Sequence, residues 1–118
     1  MAHSLASTFS VALTTTNGAA RSLSLSKTTV PTGGDYVSGT VATSTSDGTI
    51  ALGAVGTPGT VNVINRDATN SIDIGSDGTL YPIRLAPGVG ASIPWNAAAV
   101  HHKSTAATPV LEYFITEA

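Results

Sequence analysis

The sequence predicts an all-β protein, a single-domain β-sandwich of jelly-roll type with roughly eight to ten short antiparallel strands. Apolar and polar residues alternate in short segments along most of the chain, as they do in strands with one face against a core. Turn signals separate these segments at intervals of about ten residues. Two of them, Asn17-Gly18 and Asp47-Gly48, favour tight hairpins. No segment carries a helical pattern long enough for a stable helix.

The stretch from Val61 to Leu85 shows the alternation most clearly. Its apolar positions are Val61, Val63, Ile72, Ile74, Tyr81, Ile83 and Leu85. Residues 65–70 and 75–78 interrupt the alternation with Asn, Asp, Ser and Gly, which are typical of turns. The pattern therefore predicts a meander, in which consecutive strands pair with each other.

Alternating segments also precede the meander. They are Phe9–Leu13, a segment around Leu23 and Leu25, Tyr36–Thr45 and Ile50–Ala54. Residues 1–7 are small and polar, a composition typical of a mobile terminus. We therefore expect a flexible N-terminal arm over residues 1–7 and the β-sandwich domain over residues 8–118.

The predicted strands after the meander are Ala91–Trp95, Val100–Ser104 and Val110–Thr116. Pro94 has no backbone N–H, so the first of these strands is expected at a sheet edge. In the last strand, Phe114 lies on the face opposite to Leu111 and Ile115. Both faces of this strand are thus expected to have apolar cover, either from the fold itself or from another subunit.

The composition narrows the classes of partner. Charged residues make up 10% of the chain and the net charge is −2, whereas about 25% is usual. Nucleic acid requires a basic face, and five Lys and Arg spread from Arg21 to Lys103 do not form one. No apolar stretch approaches the ~20 residues needed to cross a bilayer, and no basic residue precedes Arg21 as in an export signal. We expect neither a nucleic-acid nor a membrane partner.

The residues that could support chemistry do not form a recognisable set. His101 and His102 are adjacent in a predicted strand, so their side chains point to opposite faces and do not converge on one metal. Residues 73–78 are similar to a calcium loop but lack its middle ligand and its closing Glu. No cysteine is present, and no Ser-His-Asp set or phosphate-binding glycine pattern follows from the spacing. We therefore expect no enzymatic activity and no metal or other cofactor.

Three residues are candidates for a subunit or partner interface: Trp95, His101 and Phe114. Trp95 is the only tryptophan, and either a plug at the edge of the core or an anchor at an interface is consistent with its position. His101 is a candidate as a surface histidine, and Phe114 because it faces away from its apolar neighbours. With the strand edges that a sandwich leaves open, these residues predict a homo-oligomer, and we expect a trimer.

Three motifs follow one another between Val61 and Glu117: V-x-V-x-N-R-D-A-T-N-S-I-D-I-G, then P-I-R-L-A-P-G, and finally L-E-Y-F-I-T-E. This half of the chain resembles short virion proteins of tailed double-stranded DNA phages. The resemblance implies a capsid decoration, or cement, protein that binds the major capsid protein, often as a trimer. It implies synthesis in the host cytoplasm and a final place on the capsid surface. Val89 stands where the family usually has an acidic residue, and the family pattern includes no catalytic residue.

Two other functions remain open from the sequence. The same resemblance fits a head–tail adaptor or another tail component. A carbohydrate-binding module on a fibre or cell surface is the alternative from a different class. Such a module binds sugars by stacking on aromatic rings, and the chain has one Trp, three Tyr and two Phe.

Overall fold

The computed structural model describes residues 5–14, 18, 20–29 and 35–118. Within these ranges the fold is all-β, as predicted. The strands are β1 (Leu5–Thr14), β2 (Ala20–Thr29), β3 (Tyr36–Ala42), β4 (Gly48–Thr49), β5 (Pro58–Asn65), β6 (Ile72–Gly75), β7 (Ile83–Leu85), β8 (Gly90–Pro94), β9 (His101–Ser104) and β10 (Val110–Glu117). No helix in this part of the chain is long and apolar enough to cross a membrane.

Strands β3 to β10 form two four-stranded antiparallel sheets with the orders β3-β10-β5-β8 and β4-β9-β6-β7. We call them the first and the second sheet. The chain passes from one sheet to the other at every connection except that between β6 and β7. Eight strands with this pairing form the double Greek key of a jelly roll, so the predicted architecture is confirmed. Strand β8, which contains Pro94, is an edge strand as expected.

The core lies between the two sheets. Its buried apolar side chains are Ile50, Val55, Val61, Val63, Ile72, Ile74, Leu85, Val100, Leu111 and Ile115. In β5, Val61 and Val63 are buried whereas Asn62 and Ile64 are only partly buried, because side chains alternate between the inner and outer face of a strand. Burying each Val, Leu or Ile side chain contributes about 1.5–3 kcal/mol. Apolar area between the sheets is therefore the main stabilising term of the fold.

The predicted meander over residues 61–85 is wrong at its first connection. β5 pairs with β10 and β8, whereas β6 lies in the second sheet between β9 and β7. The intervening turn is a corner between sheets that is fixed by buried Asn65. Its Nδ2 donates to Asn70 O at 2.8 Å and to Leu85 O at 3.0 Å, and its Oδ1 accepts from Asp67 N at 2.9 Å.

The predicted strand over Ile50–Ala54 is also wrong, since β4 ends at Thr49. Gly53 has a φ of +57°, a left-handed conformation that turns the chain. Val55 N donates to Leu52 O at 2.9 Å across this turn. Ile50 and Val55 are still buried. Their side chains pack in the core although the residues lie in a loop.

β1 and β2 form a hairpin of their own, a two-stranded sheet that pairs with neither sheet of the sandwich. Gly18 has a φ of +84°, in keeping with the predicted turn, whereas Asn17 lies outside the described residues. β1 begins at Leu5, so residues 5–7 of the expected arm pair with β2. Residues 1–4 of that arm lie outside the described ranges. The sandwich itself begins at Tyr36, later than the expected boundary at residue 8.

Candidate functional site

The sandwich has two outer faces with different chemistry. The outer face of the first sheet, here called the neutral face, carries Tyr36, Ser38, Thr40, Asn62, Ile64, Ser92 and Phe114. The outer face of the second sheet, here called the charged face, carries Asp47, Asp73, Tyr81, Arg84, His101 and Lys103. Each face is a candidate functional surface.

An aromatic pair dominates the neutral face. The rings of Tyr36 and Phe114 stack with centroids 5.6 Å apart and an interplanar angle of 25°. Phe114 is 38% exposed and Tyr36 is 54% exposed. Phe114 therefore lies opposite to buried Leu111 and Ile115, as the alternation of the strand predicts. Exposed aromatic rings of this kind are enriched at the centres of protein interfaces, which makes the pair a candidate contact.

A groove of about 800 Å³ runs over the neutral face beside this pair. Its lining includes Ile64, Ala91 and Phe114, together with the short polar side chains of Ser38 and Ser92. Thr8 of the β1–β2 hairpin lies at its border. The groove is thus mainly apolar, with neutral polar groups distributed along it.

The charge that the neutral face carries is an ion pair at one end. Arg66 Nε lies 2.7 Å from Glu112 Oε1, and both side chains are about half exposed. Exposed pairs of this kind contribute at most about 1 kcal/mol. Because the two charges cancel, the face stays neutral as a whole.

On the charged face, Asp73 and Arg84 form a bidentate pair between β6 and β7. Arg84 Nε donates to Asp73 Oδ1 at 2.7 Å, and Nη2 donates to Oδ2 at 3.0 Å. The hydrogen bonds and charge of Asp73 raise the pKa of Arg84 above its ordinary value. Next to this pair, Lys103 Nζ lies 4.6 Å from the ring centroid of Tyr81, a cation–π distance.

Asp47 joins two further residues on the charged face. Tyr81 Oη donates to Asp47 Oδ1, and His101 Nδ1 lies 3.1 Å from each carboxylate oxygen. A carboxylate only accepts hydrogen bonds, so His101 donates through Nδ1. The hydrogen bond from Tyr81 is the main cause that lowers the pKa of Asp47, and the same bond raises the pKa of Tyr81 to about 12. The cluster ties the loop before β4 to the loop before β7 and to β9.

Asp77 stabilises the loop that resembles a calcium site in sequence. Its Oδ1 accepts from Thr79 N, Thr79 Oγ1 and Leu80 N at 2.8–2.9 Å. These backbone hydrogen bonds are the main cause that lowers the pKa of Asp77. Asp73, the other end of the loop, is paired with Arg84. Among the residues described, no three His, Asp or Glu side chains are arranged to hold a metal ion.

The adjacent histidines point to opposite faces, as predicted. His102 faces the core and is 4% exposed. Neither of its ring nitrogens has a hydrogen-bond partner of normal geometry among the described residues. Burial is the main cause that lowers the pKa of His102. A Cβ atom at Gly48, its partner in the register, would lie 2.7 Å from His102 Cε1, so glycine makes room for the ring.

The three predicted interface residues lie in different places. Phe114 is on the neutral face and His101 is on the charged face. Trp95 is partly buried against the core, and its Nε1 donates to Ala99 O at 3.0 Å. The structure does not bring the three together. Phe114 is the most exposed of the three, so it is the best placed of the predicted interface residues to contact a partner.

Sequence reasoning did not find the Asp47–Tyr81–His101 cluster. A signal for it exists in the repeated Ser-Asp-Gly-Thr at residues 46–49 and 76–79. These two turns meet on the charged face, where a Cβ atom at Gly78 would lie 3.3 Å from Asp47 Oδ2. The repeat therefore marks two loops that are adjacent in space.

Comparisons with protein-family models, with curated proteins and with solved structures found no match to this chain.

Proposed function

We propose that this protein is a structural virion protein of a tailed double-stranded DNA phage. In this proposal it is a capsid decoration protein that binds the major capsid protein and stabilises the head. It is made in the host cytoplasm and ends on the capsid surface, where it acts without catalysis.

The observation that carries the proposal is the position of the motifs that resemble phage virion proteins. Asn65 and Asp67 of the first motif hold the corner between the two sheets. The last motif forms β10, which lies between β3 and β5 and contributes buried Leu111 and Ile115. These residues serve the framework of the fold and leave its surfaces free for contacts. Jelly rolls recur in viral capsid proteins, which supports the same proposal by analogy of fold.

We assign to the neutral face the contacts between copies of the chain. It offers a stacked aromatic pair and a mainly apolar groove, which are features of interface centres. Strands β3 and β8 are the edges of the same sheet, and open edges invite a covering neighbour. A homotrimer, as the resemblance implies, brings three copies of this face into one assembly.

The direct test is binding of the purified protein to expanded phage heads that lack it, using the phage whose genome encodes this chain. We expect saturable binding in multiples of three copies and a rise in the temperature at which the heads lose their DNA. Binding to purified tails and not to heads would replace this proposal by the tail-component alternative.

The groove also supports a second candidate, a carbohydrate-binding module. Phe114 lines it together with Asn62, Ser38 and Ser92, a combination of ring surface and neutral polar groups that suits a sugar. Lectins are another class with the jelly-roll fold. Calorimetric titration with a panel of bacterial surface glycans tests it. Binding that Phe114→Ala abolishes and Tyr81→Phe preserves would favour this candidate.

A further inference from the structure

The β1–β2 hairpin has two chemically different faces. One of them carries Thr8 and Ser26, which are partners in the register, with Thr8 Oγ1 3.4 Å from Ser26 Oγ. The other carries Leu23 and Leu25, which are 64% and 63% exposed. We call this second face the leucine face. The register partners of its two leucines in β1 are Val11 and Phe9.

The leucine face is turned away from the chain's own sandwich. Thr8 borders the groove over the neutral face, and alternate residues of a strand point to opposite sides. The polar face of the hairpin therefore looks toward the groove, and Leu23 and Leu25 look away from it. A two-stranded hairpin alone is marginally stable in water. The leucine face needs apolar cover that its own chain does not provide in this arrangement.

The charge distribution favours a second copy as the source of that cover. Residues 1–34 contain Arg21 and Lys27 and no acidic residue, whereas residues 35–118 contain three basic and seven acidic residues, a net charge of −4. Two of the acids, Asp35 and Glu117, are adjacent at the end of the β3–β10 pair, where Glu117 N donates to Asp35 O at 2.9 Å. Asp47 and Asp73 lie on the charged face, so the attraction of a basic hairpin to the first sheet of another copy rests on Asp35 and Glu117.

We infer that the hairpin is an arm that docks on the next copy, with its leucine face in the groove over that copy's neutral face. Leu23 and Leu25 then contact the surface formed by Phe114 and Ile64. This inference rests on the proposed self-association and names what fills the groove. The volume of the groove, about 800 Å³, lies within the ~300–1,000 Å³ of ordinary binding pockets. A contact between two different surfaces is head-to-tail, and it forms a ring when the rotation between copies closes, as it does in a trimer.

Engineered disulfides test the arm directly, because the chain has no cysteine. One full-length chain carries Leu25→Cys alone and a second carries Thr40→Cys alone, since Thr40 lines the groove. We expect oxidation of the mixture to yield mainly the disulfide between the two different chains. Ser24→Cys replaces Leu25→Cys as the matched control on the opposite hairpin face, and we expect at least tenfold less cross-linked product.

Self-association of the free protein gives a second measurement. Replacing both leucines, Leu23→Ser with Leu25→Ser, is expected to raise the self-dissociation constant about a hundredfold, given the apolar area lost. Because both side chains are exposed within one chain, the melting temperature of the monomer should not fall. Leu80→Ser is the control, since Leu80 is an exposed leucine outside the hairpin.

Three results would overturn the inference. They are a disulfide within one chain when Leu25→Cys and Thr40→Cys are combined, a dominant Leu25→Cys homodimer, and an unmodified protein that stays monomeric at all concentrations. All of these readouts use free protein. A failure to bind phage heads would therefore count against the decoration function and leave the arm intact.

Discussion

The two outer faces of the sandwich differ in what their side chains contact. On the charged face, the ionisable groups contact one another: Arg84 holds Asp73, Asp47 holds Tyr81 and His101, and Lys103 lies over the ring of Tyr81. On the neutral face, Phe114 and Tyr36 stack on each other and remain exposed beside an open groove.

We infer from this difference that the more polar surface is the poorer candidate for a partner. The hydrogen-bonding capacity of the charged face is used to hold loops and strands of the second sheet together. A partner that bound there would have to compete with those internal bonds. The neutral face offers apolar area without such competition, so substitutions on the two faces should affect different properties.

The largest expected effect is that of Phe114→Ser on self-association. Loss of the exposed aromatic anchor should weaken contacts between copies about a hundredfold, as interface-centre aromatics commonly do. The free energy of unfolding of the monomer should fall by about 1 kcal/mol through loss of the stack with Tyr36. Sedimentation velocity and urea denaturation of the same variant check the two expectations. Equal self-association of Phe114→Ser and Leu80→Ser would show that the neutral face is not the contact.

The reverse behaviour is expected of Asp73→Ala on the charged face. This change removes both hydrogen bonds to Arg84 and should lower the free energy of unfolding by about 1–3 kcal/mol, while self-association stays the same. Arg66→Ala is the matched control, because it breaks an exposed pair whose loss costs at most about 1 kcal/mol. Urea denaturation measures both. If Asp73→Ala folded fully but self-associated less than the unmodified protein, the expectation that the two faces affect different properties would be wrong.

The strands could be predicted because alternation at period two is a local property. Val61, Val63, Ile72 and Ile74 lie on buried faces as their spacing indicates. Alternation does not specify which sheet a strand joins, however, and the corner at Asn65 looks like an ordinary turn in sequence. In the structure the side chain of Asn65 bonds to Asn70 within the turn and to Leu85 in the second sheet, contacts that the local sequence does not indicate.

The candidate surfaces were harder to predict because they depend on contacts distant in sequence. Phe114 was found since the strand pattern alone puts it opposite to Leu111. The cluster around Asp47 was not, because its three residues come from separate parts of the chain: the loop before β4, the loop before β7 and β9. The leucine face was also missed, since alternating leucines and serines in β2 look the same whether a sheet covers the leucines or water does.

The free energy of unfolding should depend on pH through His102, which lies on the core face of the second sheet. Burial lowers the pKa of this histidine, so the unfolded chain binds a proton more readily than the folded one. The contribution of neutral His102 to the free energy of unfolding is therefore fully present above the ordinary histidine pKa of about 6.5. It is lost as the pH falls below that value. Melting temperatures between pH 7.5 and 5 measure the effect. His102→Leu should flatten this dependence, whereas His101→Gln on the charged face should leave it in place.

The smallest expected effect is that of Tyr81→Phe, which removes one hydrogen bond from the charged face. In the unmodified protein, Asp47 raises the pKa of Tyr81 to about 12. Its contribution to stability is therefore present below the ordinary tyrosine pKa of about 10 and is lost as the pH rises from there through the folded value. Ultraviolet titration of the folded protein should show one tyrosine that ionises near pH 12, and Tyr81→Phe should remove that component. The same change should let the pKa of Asp47 rise toward 3.8, which carbon-detected NMR can follow. A high-pH component that survives in Tyr81→Phe would contradict the hydrogen bond between Tyr81 and Asp47.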